Sequence, residues 1–277
     1  MVIACLQPRS RSAFQGHFSL LSMGMQFPEL LILVAVFFLT SIVSVVTGAT
    51  SLITVPLMIA LGIEPHVAVA TNMFALIFLS AGALAPFWKS GMVLRRELPV
   101  MTILTIGGSV VGALLLVKAP MRWLQLVIAV AMIAVAVFSL LKRDMGTTRH
   151  ESTVSPIQAI LGYVLTLALA VYGGFFSGGY VTMLTAVFAL FFHMTFVESI
   201  AATKLMNLSS SIVAVSIFAW HGIVNWRLGL ILGIAMFVGG LLGGAIALKM
   251  NAAWLRRTFL VAVLALAARM LYAALSA

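Results

Sequence analysis

One lysine stands where a charge is expensive. Lys204 lies inside a long apolar run at about 196–220, and a cation at the middle of a membrane helix costs at least about 2.5–3.5 kcal/mol on insertion scales. Such a residue needs a partner or a task. Thr203, Lys204 and Asn207 occupy i, i+1 and i+4, so Thr203 and Asn207 share a helix face and Lys204 borders it. An ammonium flanked by hydroxyl and amide donors can hold a small anion. The structural alternative is a lysine that snorkels to the head groups or pairs with Glu198. In the first half, Ala70-Thr71-Asn72 resembles Ala202-Thr203-Lys204 and offers neutral donors at Thr71 and Asn72; in membrane helices such residues also serve as interhelical glue worth about 0.6 kcal/mol each.

A second set of donors comes from backbone. Thr47-Gly48 and Ser177-Gly178-Gly179 each precede a short apolar run, at about 50–61 and 180–192. A helix of that length reaches roughly 20 Å, short of a hydrocarbon core of about 30 Å, so these segments are expected to be re-entrant or broken and to line protein or a cavity. Their exposed N–H groups and helix starts would face an anion; the alternative is glycine used for close helix packing. Enzymatic chemistry is not indicated. There is no nucleophile–base constellation, no H-E-x-x-H, no Walker A loop and no G-x-G-x-x-G, so no catalytic residue, metal or cofactor is predicted. His66, His193 and His221 read as interfacial, and Glu64 and Glu198 as helix-opening residues at the membrane edge, with proton coupling as their alternative role.

The elements that must position these residues are membrane helices. Of 277 residues 63% are hydrophobic and 8% charged, against about a quarter charged in a soluble domain. Apolar runs fall at about 29–47, 50–61, 66–88, 98–117 and 122–141, and again at 157–175, 180–192, 196–220, 228–248 and 254–275. The chain therefore divides into a polar N-terminal extension (1–26), a first transmembrane repeat (27–141), a polar linker (142–156) and a second transmembrane repeat (157–277). The fold class expected is an all-α polytopic membrane bundle of two homologous repeats, with about eight full spans plus two short re-entrant or broken helices. Thr71 and Thr203, and Gly108 with Gly112 against Gly240 with Gly244, match at an offset of 132, and Trp123 and Trp254 at 131. Eight spans would make the halves parallel, and ten would make them inverted; loop lysines and arginines divide too evenly to choose.

The net charge of +10 comes from basic residues placed singly or in pairs between apolar runs, such as Arg95-Arg96 and Lys142-Arg143. That is the pattern of loops facing anionic head groups, so the lipid bilayer is the expected partner and nucleic acid is not. The one cysteine, Cys5, excludes a disulfide framework. Residues 1–26 lack a clean apolar h-region, so no cleaved signal peptide is expected, and Met23 or Met25 is an alternative start.

The motifs Val46-Thr-Gly-Ala-Thr-Ser-Leu-Ile-Thr-Val-Pro56, Leu61-Gly62 through Asn72, and then Gly91 resemble the TauE/SafE family of membrane exporters. In the second half, Gly173-Gly174, Ser177-Gly178-Gly179, Ala202 through Asn207 and Trp220-His221-Gly222 through Trp226 fit the same pattern. The first half departs from it by carrying Thr47-Gly48-Ala49-Thr50 where family members carry several consecutive glycines. The resemblance implies a duplicated bundle in a bacterial-type inner membrane, multi-pass, that exports sulfite, sulfoacetate or related organosulfonates. The substrate-binding set expected is Thr47, Gly48, Thr71, Asn72, Ser177, Gly178, Gly179, Thr203, Lys204 and Asn207, serving alternating access of two half-bundles around a small anionic substrate. A passive anion channel and a carrier of non-sulfur cargo are the alternatives, and a homo-oligomer is left open.

Overall fold

A computed structural model describes residues 27–90, 97–120 and 154–249, and over them the chain is helical throughout its regular structure. The helices are α1 (Phe27–Thr47), α2 (Thr50–Ala60), α3 (Pro65–Lys89), α4 (Leu98–Lys118), α5 (Pro156–Phe175), α6 (Tyr180–Phe191), α7 (Phe196–Trp220) and α8 (Trp226–Lys249). Six are long and apolar enough to cross a membrane; α2 and α6, of 11 and 12 residues, are about 17 Å long and are not. The extension 1–26, the apolar runs at 122–141 and 254–275, Gly91 and the linker up to residue 153 lie outside the described residues.

Local chemistry explains where the helices begin. The Glu64 carboxylate accepts from Val67 N–H just ahead of Pro65, and Ser155 with Gln158 and Thr195 with Glu198 form reciprocal capping boxes. Glu198 is thus engaged at the helix opening. Side chains such as Leu31, Ile103, Ile160 and Ile234 project outward, while α3 and α7 form the interior pair. About 72% and 61% of their apolar windows are buried, against 28–44% for the other four long helices.

Close helix contacts fix the chain directions. Gly239 and Gly243 of α8 meet Phe38–Ser41 and Ile42–Val45 of α1 in ascending order, and Gly229, Gly233 and Gly244 meet Thr71–Phe74, Phe78 and Ala83–Pro86 of α3. So α1, α3 and α8 run one way. Gly108 and Gly112 of α4 meet Leu167–Ala170 and Val171–Phe175 of α5, and Thr105 and Ser109 of α4 bond Met206 and Ser210 of α7; these three are parallel to each other. Asn207 bonds Ser80, whereas Asn225, just past the end of α7, bonds Thr71, so α7 descends along α3. The short helices turn back: Thr50 and Ile53 lie beside Thr47, Val43 and Leu39, and Tyr180 and Phe191 beside Gly173 and Gly162. Helices α1, α3, α6 and α8 therefore oppose α2, α4, α5 and α7.

The sequence alone paired eight spans with parallel halves and ten with inverted ones, and the described helices of the two halves run in opposed directions. The last turn of α1, Ser44 to Thr47, is buried and α2 returns toward the start of α1. Each helix of the first four thus runs opposite to the helix at the same place in the second four. Nor do the sequence halves pack as separate bodies. One bundle is α1, α2, α3 and α8, and the other is α4, α5, α6 and α7; α3 against α7 is the main helix contact between them, and the consecutive helices α3 and α4 barely touch.

Geometry recurs between the halves at an offset of 131. Gly48 and Gly179 both have positive φ (65° and 78°) immediately before a short helix, and Gly62 and His193 both have positive φ just after it. The Thr54–Asn72 hydrogen bond reappears as Thr185–Thr203, and α3 and α7 are 25 residues each, starting at 65 and 196. The motif match at 132 is one position off: in space Asn72 corresponds to Thr203, and Met73 to Lys204. One residue of slip turns a helix face by about 100°, a difference invisible to a comparison of short apolar motifs.

Candidate functional site

The two helix breaks meet at the centre. Gly48 and Gly179 take the left-handed conformation that glycine adopts without a steric penalty, which ends α1 and opens α6. The Ser51 and Ser177 hydroxyls, one at each break, are 2.8 Å apart; Thr182 donates to the Thr47 carbonyl at 2.6 Å. Neither short helix has a side-chain cap, at Ala49 or at Gly179. Two buried helix starts without side-chain caps therefore meet across the two bundles, each carrying the positive end of a helix dipole; of their first-turn N–H groups, Leu52 bonds the Ala49 carbonyl and Tyr180 the Ser177 carbonyl.

Between them is a cavity with an empty volume of about 220 Å³, of which only about 10 Å³ can take the centre of a water, room for one such molecule. Ser44, Gly48, Thr50, Ser51, Ser177, Lys204 and Asn207 supply its polar walls; Leu76, Leu79 and Val181 supply apolar ones. Lys204 is 1% exposed, so it does not snorkel, and its Nζ donates to the Ser44 carbonyl at 3.1 Å. That carbonyl also accepts from Gly48 N–H, so the ammonium sits on the negative end of α1. An ammonium has three donors, and the Ser44 bond uses one. Asn207 Nδ2 donates to Ser80 Oγ at 2.7 Å, and its buried Oδ1 has no partner. Because the Ser80 hydroxyl can donate as well as accept, the amide can turn over and present NH₂ to the cavity.

The remaining expected residues support this core or lie beside it. Asn72 donates to Ser51 Oγ at 2.8 Å and accepts from Thr54 at 2.7 Å, completing a chain Asn72–Ser51–Ser177. Thr203 is spent on the Ile200 carbonyl and Thr185. Thr71 accepts from Asn225 N–H at 3.1 Å, which anchors the start of α8. Thr47 borders a neighbouring apolar groove between α1 and α2, and the Gly178 carbonyl accepts from Tyr172 Oη. Thus Gly48, Ser177, Lys204 and Asn207 come together on the cavity, Asn72 stands one bond behind, and Thr71, Thr203, Thr47, Gly178 and Gly179 do not line it. Ser44 and Ser51 were not singled out from the sequence. The available signal was the spacing Ser41, Ser44, Thr47, a polar stripe at helical period in an apolar run.

Such a cavity offers hydrogen-bond donors and a cationic side chain to whatever enters it. A lysine, an amide, four hydroxyl side chains and two helix starts converge on it, and no carboxylate lines it among the described residues. Residues 33–270 match the sequence profile of the family described as Sulfite exporter TauE/SafE. The chain belongs to the TauE/SafE family. It is similar to a probable membrane transporter protein, ORF9, of Sinorhizobium sp., 30% identical over 84% of this chain and 89% of that one. Further relatives are probable membrane transporter proteins of Haemophilus influenzae (22% identical; 88% and 94% covered) and of Escherichia coli K12, YfcA (24% identical; 91% and 93% covered). No solved structure matches the chain. The TauE/SafE chain is therefore a multi-pass membrane transporter.

Proposed function

We propose that this TauE/SafE transporter exports small anions, sulfite or organosulfonates, from a bacterial-type cytoplasm by alternating access, and that its halves are homologous inverted repeats. The observation that carries the reading is a fully buried lysine at the meeting point of two helix starts without side-chain caps, in a cavity that no carboxylate lines among the described residues. The family description names sulfite, which supports a sulfur oxyanion as cargo, and the opposed helix directions and the 131-residue recurrence support the repeats. The moving bodies are the bundles α1–α2–α3–α8 and α4–α5–α6–α7, pivoting on α3 and α7. An inside-negative potential drives an anion outward by about 2.3 kcal/mol per charge per 100 mV, so export can proceed without a coupled ion. A passive channel is less well supported, because the cavity holds about one water and a polyatomic oxyanion requires its walls to part.

The test is efflux of radiolabelled sulfite or a sulfonate from loaded proteoliposomes under an inside-negative potential, comparing wild type with Lys204→Ala. Loss of a charge-assisted hydrogen bond predicts a rise of about tenfold or more in the half-saturating concentration. Equal efflux from wild type and empty liposomes removes sulfur oxyanions as cargo; saturable efflux unchanged in Lys204→Ala removes the site.

A further inference from the structure

At the membrane face where α2 ends, α3 begins and α4 finishes, one histidine joins the two bundles. His66 Nδ1 is 2.7 Å from Glu64 Oε1, and its Nε2 is 3.0 Å from the Ala119 carbonyl at the end of α4. The histidine belongs to the α1–α2–α3–α8 bundle and the carbonyl to the other. Since α3 and α4 barely touch otherwise, this contact ties two bodies that the transport cycle must separate.

Both partners are acceptors. A carbonyl has no proton to give, and Glu64 already accepts from Val67 N–H through its other oxygen. A neutral imidazole has one N–H and can satisfy one of the two contacts, while the other then sets a lone pair against an oxygen. Only the imidazolium makes both. Partial burial pushes the Glu64 carboxyl up, but hydrogen bonds from His66 and Val67 outweigh it and hold the group below the ordinary carboxylate range, so Glu64 stays ionised and acts as an acceptor. On losing a proton, the ring keeps its remaining N–H on the carboxylate, the stronger acceptor, and releases Ala119.

We propose that His66, with Glu64 and the Ala119 carbonyl, is a proton-operated latch that closes this mouth of the transporter when protonated and frees it when neutral. Glu64 is 44% exposed and His66 18% at the side chain, so protons reach the pair from solvent. The other titratable groups among the described residues at this face are Glu29 in the first turn of α1, Lys118 next to Ala119, and His221 and Arg227 where α7 passes into α8. Of these the only carboxylate is Glu29, which belongs to the same bundle as His66 and so cannot replace the Ala119 carbonyl as a tie to the other. On the opposite face the position corresponding to His66 is Val197, which cannot titrate, so the latch acts at one mouth only. Histidine is the side chain whose charge changes between about pH 5 and pH 8. The sign follows: the latch is present at the acid end and is lost as pH rises.

This inference rests on the two-bundle motion proposed above but not on the cargo, and its test reads access instead of transport. Cys5 is the single cysteine, so Val181→Cys on a Cys5→Ser background places one reporter thiol on the cavity wall. Its modification rate by a charged, membrane-impermeant thiol reagent is measured in detergent at about pH 5.5 and about pH 8.5. The same reporter in His66→Arg and His66→Gln follows. Arginine keeps a charged tie at every pH, and because it carries the same thiol it cancels the intrinsic ionisation of the cysteine. The ratio of wild-type to His66→Arg rate is expected to rise about tenfold with pH, the weight of a charge-assisted over a neutral hydrogen bond. His66→Gln is expected to react fast at both. A flat wild-type ratio, or a His66→Gln profile that follows the wild type, overturns the latch whether or not sulfite is the cargo.

Discussion

Replacing Gly48 by alanine, with Gly62→Ala as its control, separates backbone strain from crowding between the two bundles. Both glycines have positive φ, 65° and 85°, and an L-residue in that region costs roughly 1–2 kcal/mol. They differ in surroundings. A Cβ on Gly62 meets nothing within 4 Å, whereas one on Gly48 falls 2.8 Å from Thr182 N and 2.8 Å from Val181 Cβ. Overpacking of this kind costs about 1–3 kcal/mol beyond the strain, so Gly48→Ala should lose about 2–5 kcal/mol and Gly62→Ala about 1–2 kcal/mol. The extra volume also drives α6 away from α1, breaking the Thr182–Thr47 bond on the edge of the cavity. Thermal unfolding in detergent and anion efflux from proteoliposomes measure both effects on both variants. The expected outcome is a larger melting shift and a larger loss of efflux for Gly48→Ala; equal losses would refute the close packing of the two breaks.

Two further outcomes follow from hydrogen bonds. Ser51→Ala leaves both Asn72 Nδ2 and Ser177 Oγ without their partner and should cost about 1–3 kcal/mol, whereas Ser177→Ala leaves Ser51 still bonded to Asn72 and should cost about 0.5–1.5 kcal/mol; the double variant should lose less than the sum by a double-mutant cycle of unfolding. For Glu64, whose carboxyl is held below its ordinary range, the stabilisation is present above the unfolded-state value and disappears as pH falls through the folded one. A melting-temperature profile from about pH 6 to about pH 3 should therefore slope downward in wild type and flatten in Glu64→Gln.

Hydropathy made the six described long helices and both short ones legible, because lipid demands about 20 apolar residues per crossing and a deficit of that size is visible in the sequence. Direction was not legible. A run of valines and leucines reads alike in either sense, so only contacts such as Gly239 with Ser41 and Gly243 with Val45 reveal that α8 runs with α1 and has left its own half. Lys204 stood out because a charge in an apolar run is rare. Ser51 did not, since isolated serines are common as packing residues in membrane helices; its importance lies in Ser177 being 126 positions away in sequence and 2.8 Å away in space. Thr71 was misleading for a related reason: its motif resembles that of Thr203, yet its hydroxyl serves the backbone of Asn225.

The single lysine also follows from how the two short helices differ. Exchanging the halves carries Ser44 to Gly173, Ala49 to Tyr180 and Lys204 to Met73, with α1 and α5 in register at 129 because the second break is two residues longer. On the first side the small Ala49 leaves space that Lys204, Ser44 and Gly48 line. On the second, the ring of Tyr180 lies where any Cβ on Gly173 would fall, within 2.8 Å, and Tyr180 and Met73 are both buried. The mirrored pocket is therefore filled by the Tyr180 ring and by a methionine where the lysine would stand. A second ammonium there would face the first across a dry interior, where like charges repel far more strongly than in water. Filling that side with tyrosine and methionine leaves one cation to organise the donors, and a near-symmetric pair of helix breaks acquires one off-axis polar cavity.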